Sequence, residues 1–446
     1  MSEYPVVVVG AGPVGLAAAA QLRERDLEPL VLERGAQAGA AVAEWNHVRL
    51  FSSWSELVDP AAGRLLEPAG WVRPDGSGYP TGREWAESYL QPLADVLGER
   101  VRFGAEVVGV ARRGRDRVVD SGRDAEPFSV HIRRVDGSEE RIFARAVIDA
   151  SGTWAGPNPL GGEGLPAIGE AAAADRITYR VPDLADAATR ARYAGRHIVV
   201  AGSGHSALTA LVALSGPAQQ DPSTRISWVL RRGGLGNTFG GGDADQLPAR
   251  GALGRRARAA VEEGLITVLT GFRTESVERD VAGRLTLVSA AGQRLEDVDR
   301  IVSLTGFRPQ LAWLSEIRLE LDPTLQAPVQ LAPLVDPNVH SCGTVRPHGA
   351  KELAHPERDF YLAGMKSYGR APTFLARTGY EQVRSIAAEL AGDHEAAARV
   401  ELILAETGVC GGAGLFDEQG SGASGCCGPA AVREELTLSA PPAHRN

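Results

Sequence analysis

Lysine is almost missing from this chain: Lys351 and Lys366 are the only two, against 47 basic residues in all. Arginine serves nearly everywhere a base is needed, so these two lysines stand out. Cysteine is scarce as well. Four in 446 residues are too few for a disulfide framework, and Cys410, Cys426 and Cys427 crowd the end of the chain. No C-x-x-C or C-x4-C pair exists, which argues against ordinary dithiol–disulfide chemistry. Positive charge is not in excess: the net charge is −9, which disfavours nucleic acid or an anionic membrane as a partner. No apolar run approaches the ~18 residues that span a bilayer. Met1 to Pro5 runs straight into a strand, leaving no room for a signal peptide, so the cytoplasm is the expected location.

What is present is the composition of a globular protein, 43% apolar and 23% charged, in a chain too long for one hydrophobic core. One pattern occurs twice. Val6–Val9 is a β-branched run suited to a buried parallel strand, and it ends in Gly10, Gly12, Pro13 and Gly15. A helix should follow through Ala17–Ala20, then a second strand over Pro29–Leu32 ending at Glu33 and Arg34. In such a turn the first glycine permits the tight bend, the second lets a pyrophosphate approach, and the third allows close helix–strand packing. The helix N-terminus favours the phosphates, and the acid grips the adenosine ribose.

The second copy follows a strand over Arg196–Ala201 and reads Gly202, Ser203, Gly204, His205, Ser206, Ala207 before another helix. Its next strand, Arg225–Leu230, ends in Arg231 and Arg232 rather than an acid. Arginine there can bind a 2′-phosphate that an acid would repel; a solvated surface pair is the alternative. Two dinucleotides are therefore expected, FAD at the first turn and NADPH at the second.

Two further segments look alike, "RAVIDASGTW" at 145–154 and "DRIVSLTGFRPQ" at 299–310. Each is a strand ending in a Ser/Thr-Gly turn, Ser151-Gly152 and Thr305-Gly306, as expected where a chain leaves one domain and returns to it. The expected fold is α/β, two Rossmann-like domains with the NADPH domain inserted in the FAD domain. Residues 1–157 and 309–400 would form the FAD-binding domain, 158–308 the NADPH-binding domain, and 401–446 a flexible tail rich in Gly, Ser and Cys. The segment 113–126 reads as a charged surface hairpin, with Val107 in the strand before it beside the first site. A strand at Phe360–Ala363, then Gly364, Met365 and Lys366, and a helix from about Thr373 should complete the FAD domain.

These turns and their order resemble the two-dinucleotide flavoprotein superfamily, in particular the flavin-containing monooxygenases. The phrases "EWNHVRLFSSW", "ASGTWAGPNPLGGEGLPA", "GSGHSA" and "GMKSYGRAPTFLARTGYEQVRSI" look more closely like actinobacterial flavoproteins found with arsenic-resistance genes. Two departures stand beside the resemblance. Residues 168–193 contain no F-x-G-x-x-x-H-x-x-x-W/F-P fingerprint, and the superfamily's Gly-Asp before the last helix is Gly364-Met365 here.

The resemblance implies an NADPH-dependent FAD oxidoreductase. The favoured activity is monooxygenation by molecular oxygen of a small soft nucleophile, an organoarsenical or sulfur compound. Trp45, Asn46 and Arg49 lie where relatives approach the flavin, with domain packing as the alternative reading. Lys366 is a candidate to stabilise reduced flavin, or else a surface lysine. Cys426 and Cys427 on the tail are candidate soft ligands for a thiophilic metalloid. They keep open a reductase acting on a metalloid or disulfide. A flavin-bound sensor or scaffold is a third reading, and a homodimer is compatible with all three.

Overall fold

The β-branched run that opens the chain is wholly buried and forms the central strand of a parallel sheet. The computed structural model describes residues 4–402 other than 237, 246, 340–344 and 373. The chain begins β1 (Val6–Val9), α1 (Pro13–Arg23) and β2 (Pro29–Leu32), passes through short helices including Pro60–Leu66, and reaches β3 (Val101–Arg102). There follow β4 (Ala105–Arg112), β5 (Phe128–Arg134), β6 (Glu139–Ala144) and β7 (Ala146–Asp149). Next come β8 (Ile177–Thr178), β9 (His197–Ala201), α2 (His205–Gln220), β10 (Arg225–Val229) and α3 (Pro248–Glu262). Then come β11 (Ile266–Leu269), β12 (Thr274–Arg279), β13 (Leu285–Ser289), β14 (Arg294–Val298) and β15 (Arg300–Ser303). Near the end come β16 (Phe360–Leu362) and α4 (Ala376–Leu390), followed by the short helix His394–Ala398.

One architecture is built twice. The first parallel sheet has the order β16-β7-β1-β2-β3, and an antiparallel meander β4-β5-β6 covers one face. Alternation along β1 divides the core: Val7 and Val9 pack against Phe128, Val130 and Ile132 of the meander, while Val6 and Val8 pack against α1 and α4. The second sheet has the order β11-β10-β9-β15-β8, with the meander β12-β13-β14 on one side. Val199 and Ala201 face that meander, while Ile198 and Val200 face α2 and α3. The expected α/β class holds. Every strand of the second sheet lies in sequence between β7 and β16 of the first.

The two crossing segments pair with each other. Pro157 and Phe307 form an antiparallel bridge. The Asn158 N–H donates to the Gly306 carbonyl at 2.9 Å and the Arg308 N–H to the Gly156 carbonyl at 2.8 Å. Trp154 stacks on Phe307 with ring centroids 4.9 Å apart, and the Arg180 guanidinium lies 3.8 Å over Trp154.

The segment 113–126 joins antiparallel β4 and β5 as a largely exposed hairpin, as expected, although Arg123 within it is buried at 2% side-chain exposure and paired with Glu357 at 2.6 Å. Arg112 binds the same carboxylate at 2.8 Å, so the hairpin is tied to the segment before β16. Helix α4 begins at Ala376 rather than near 373, since Leu375 is extended, and residues 364–368 form a 3-10 turn.

Asp59 carries a testable pH dependence. It caps the short helix Pro60–Leu66, accepting from the Ala62 N–H at 2.9 Å and from Gln21 Nε2 at 3.1 Å. Burial pushes its carboxyl up from 3.8 to about 6, the hydrogen bonds opposing this only in part. A raised folded-state pKa means the native protein binds the proton more tightly than the unfolded chain. The stability this contributes is therefore complete below the unfolded value and lost as pH rises through about 6. A difference of this size corresponds to roughly 3 kcal/mol. Asp59→Asn keeps a capping oxygen. In urea titrations its stability relative to the native sequence should rise by on the order of 2–3 kcal/mol between pH 4 and 7. A constant difference across that range would show that Asp59 does not titrate this way.

Candidate active site

The carboxyl ends of β1 and β7 meet beneath the first glycine turn. Gly10 adopts φ +99°, and a Cβ there would lie 3.0 Å from the Ala150 carbonyl oxygen. A Cβ on Gly15 would stand 1.9 Å from the Gly10 carbonyl oxygen, so packing itself demands both glycines. Gly12 is different. Its φ of −81° suits any residue, and nothing lies within 4 Å of where its Cβ would stand. The protein gives no packing reason for that glycine. The space in front of it belongs to a cavity of about 650 Å³, which Gly10, Gly12 and Pro13 help to line. The open N-terminus of α1, with Pro13 as its first residue, adds unpaired N–H groups there.

Glu33 lies at the cavity rim, its carboxylate accepting from the Ala11 N–H at 2.7 Å and the Gly35 N–H at 2.6 Å. Arg34 and Val107 line the same wall, Ser151 and Gly152 enter from the first crossing segment, and Gly364, Met365 and Lys366 close the side under α4. Trp45, Phe51, Trp154, Trp313 and Phe374 make the remaining wall strongly aromatic. Asn46 and Arg49 do not line the cavity. Arg49 is exposed, bonded to the Tyr79 carbonyl and 3.6 Å from Glu84, while the Asn46 carbonyl accepts from the Arg83 N–H at 2.9 Å.

Lys366 is no surface lysine. Its Nζ lies 2.7 Å from Asp149 Oδ2, with side chains 1% and 0% exposed, and donates to Ser151 Oγ at 3.0 Å. The Trp313 ring centroid is 4.7 Å away. Asp149 Oδ1 accepts from the Ser151 N–H at 3.1 Å and from its hydroxyl at 2.6 Å. Sequence reasoning missed Asp149 and Trp313. The signal for Asp149 was there: an acid within the wholly buried strand "AVID".

The second turn repeats the first. Gly202 has φ +125°, and its Cβ would lie 2.2 Å from the Leu304 carbonyl oxygen. Gly204, with φ −86°, has nothing within 4 Å of its Cβ position. Arg232 Nη2 donates to Ser203 Oγ at 3.2 Å, which brings this arginine to the turn, whereas the exposed Arg231 reaches the Gly162 carbonyl at 3.3 Å. Thr305 Oγ1 donates to the Asn158 carbonyl at 3.1 Å, and Gly306, φ +95°, follows it beyond β15. Ser206 is exposed in the first turn of α2. His205 opens that helix, and its ring centroid lies 5.1 Å from that of Phe51, so the second turn abuts the wall of the first cavity. Burial, with a smaller push from Arg250, lowers the His205 imidazole to about 4, so it is neutral at pH 7. Thr373, Cys426 and Cys427 lie outside the described residues, as do Cys342 and Cys410.

The sequence matches the model of the family described as pyridine nucleotide-disulphide oxidoreductase over residues 7–332. The chain belongs to this family. It is an FAD-containing oxidoreductase, and the cofactors that membership supports are FAD and NADPH. The residues fit them: Gly12 and Gly204 each leave room that the protein does not fill, beside an acid in the first case and an arginine in the second. Solved structures share the fold of this oxidoreductase. Bacillithiol disulfide reductase Bdr (YpdA) from Bacillus cereus is 19% identical with a TM-score of 0.63, covering 87% of this chain and 99% of its own. The cadaverine monooxygenase DfoA from Erwinia amylovora, bound to FAD, is 15% identical with a TM-score of 0.61, covering 91% and 98%. Ornithine hydroxylase PvdA from Pseudomonas aeruginosa is 18% identical with a TM-score of 0.57, covering 87% and 99%. Comparison with curated proteins finds no match. Among the described residues no helix is long and apolar enough to cross a membrane.

Proposed function

We propose that this oxidoreductase is an NADPH-dependent FAD monooxygenase acting on a small soft nucleophile, an organoarsenical or a sulfur compound. The observation that carries the reading is the aromatic-walled cavity, which touches the second glycine turn through Phe51 and His205. The absence of a C-x-x-C or C-x4-C pair from the sequence agrees with it. Bound FAD would supply two-electron chemistry, taking electrons from NADPH and passing them to dioxygen. For a thioether the balance is R2S + O2 + NADPH + H⁺ → R2SO + H2O + NADP⁺.

The chain's own residues bind and shield. In this reading residues 1–157 and 309–400 hold FAD and 158–308 hold NADPH. At the turn shaped by Gly10 and Gly15, Gly12 and the helix start at Pro13 receive the FAD pyrophosphate, Glu33 the ribose, and Arg34, Val107, Ser151, Gly152, Gly364 and Met365 border the rest. Gly202 to Ser206, Thr305 and Gly306 receive NADPH, with Arg231 and Arg232 selecting it over NADH through the 2′-phosphate. Trp45 and its aromatic neighbours exclude water, which strengthens every polar contact within the cavity. Lys366 places a positive charge at the wall. The cytoplasm is the compartment this reading assigns, alone or as a homodimer.

The purified protein, supplied with NADPH and either a dialkyl sulfide or a trivalent methylarsenical, should consume NADPH and dioxygen and release oxygenated product in equal amounts. Labelled dioxygen should appear in the product. Peroxide in place of product would overturn the monooxygenase reading, and the absence of steady NADPH consumption would favour a sensor or scaffold. The adjacent Cys426 and Cys427 favour one second reading, a metalloid or disulfide reductase. Truncation after residue 408 separates the two: oxygenation at the cavity survives it, whereas reduction by a tail dithiol is abolished with FAD still bound.

A further inference from the structure

Asp149 and Lys366 form an ion pair with almost no access to water, 2.7 Å apart. Removing two charges from water costs several kcal/mol per ion, and well-packed apolar residues of similar volume often serve stability equally well. The repeat within this chain shows that the architecture closes without such a pair. In the first sheet Val9, just before Gly10, registers with Asp149 on β7. In the second sheet Ala201, just before Gly202, registers with Ser303 on β15. The same place under the same turn therefore holds a carboxylate in one unit and a neutral hydroxyl in the other.

The pair is also oriented. Lys366 and Ser151 line the cavity, and Asp149 does not. Asp149 stands behind them, with one oxygen on the Lys366 ammonium and the other on the Ser151 hydroxyl and N–H. The ammonium has three donors. One of them goes to Ser151, Asp149 Oδ2 lies in ion-pair contact at 2.7 Å, and Trp313 covers the ammonium with the ring centroid 4.7 Å away. The result is a fixed dipole whose positive member belongs to a cavity-lining residue and whose negative member stands outside the lining.

We infer that Asp149 is a positioning residue that holds the Lys366 ammonium at the cavity wall, and that the oriented pair favours reduced over oxidised FAD. The inference rests on the reading of the cavity as the FAD site. Reduction by NADPH, FAD + NADPH → FADH⁻ + NADP⁺, adds negative charge to the cavity occupant. A preorganised positive charge in a water-poor site lowers the energy of the more negative form without reorganisation. Asp149 keeps the wall neutral overall, which limits the cost of burying the ammonium when the occupant is oxidised.

The test uses the full-length FAD-bound protein and measures the FAD midpoint potential by anaerobic spectroelectrochemical titration. Lys366→Met alone strands a buried carboxylate and can fail to fold, so the deciding variant is Asp149→Leu with Lys366→Met, which removes both charges. It should fold, retain stoichiometric FAD, and lose about tenfold of its preference for the reduced form, about 30 mV for a two-electron couple. Lys366→Arg should restore most of the potential. Lys351→Met, which removes the exposed lysine, should leave it unchanged. A double variant that keeps FAD with an unaltered potential overturns the inference and leaves the flavin reading standing. Failure of the native chain itself to take up FAD overturns both.

Discussion

Gly12→Val is expected to strip the protein of FAD while leaving the apoprotein folded. The backbone at residue 12 has φ −81°, open to valine, and no protein atom lies within 4 Å of the added Cβ. The apoprotein should therefore lose only about 1 kcal/mol, the cost of replacing an N-cap glycine by valine, without a packing clash. The new side chain would instead fill the space in front of the turn, where the proposed reading has the backbone N–H groups meet the FAD pyrophosphate. Loss of two charge-assisted hydrogen bonds, at roughly 1.5–3 kcal/mol each, weakens FAD by about 100-fold or more. Gly15→Val is the contrasting control. Its Cβ would stand 1.9 Å from a backbone oxygen, so the fold itself should be destabilised, with FAD loss as a consequence. Flavin absorbance per protein, with thermal melts of the apoproteins, separates the two behaviours. Stoichiometric FAD in Gly12→Val would remove the first turn as the pyrophosphate site.

The second large effect concerns the choice of pyridine nucleotide. Joint replacement Arg231→Ala and Arg232→Ala should weaken NADPH by about 2–4 kcal/mol, using roughly 1.5–3 kcal/mol per charge-assisted bond and a discount for exposure. Arg232 should carry the larger share, because it is half-buried and fixed to Ser203 at 3.2 Å, whereas Arg231 is exposed. NADH, which has no 2′-phosphate, should change little. Anaerobic reduction of the bound flavin at varied nucleotide concentration reads both affinities. Equal losses for the two nucleotides would make the arginines part of the fold rather than of selection.

Both turns were legible in the sequence because glycine is one of the few residues whose local pattern carries its backbone chemistry with it. Strand, turn and helix follow within a dozen residues, and the repeat of the pattern checked the first reading against the second. The site's charged partners were hidden for the opposite reason. Ser151 and Lys366 are 215 residues apart, and Arg112 lies 245 residues from Glu357. Those contacts exist only because β16 returns to β7 after the whole second unit has been built. The aromatic–polar stretch at 45–52 shows a third limit. The resemblance put Trp45, Asn46 and Arg49 near the flavin, but the turn aims Trp45, Leu50, Phe51 and Ser52 inward while Arg49 points to Glu84 at the surface. Irregular backbone has no period from which facing can be read.

The paired crossings between the two units also bear on how such a chain is assembled and varied. Because Gly156 and Arg308 are hydrogen-bonded neighbours, everything between them enters and leaves the first unit through a single seam. To the host sheet the intervening residues amount to one long loop, and loop length taxes stability only logarithmically, about 0.6 kcal/mol for each doubling. The second unit is thus inserted with adjacent ends, so its length weighs little on the pairing of β7 with β16.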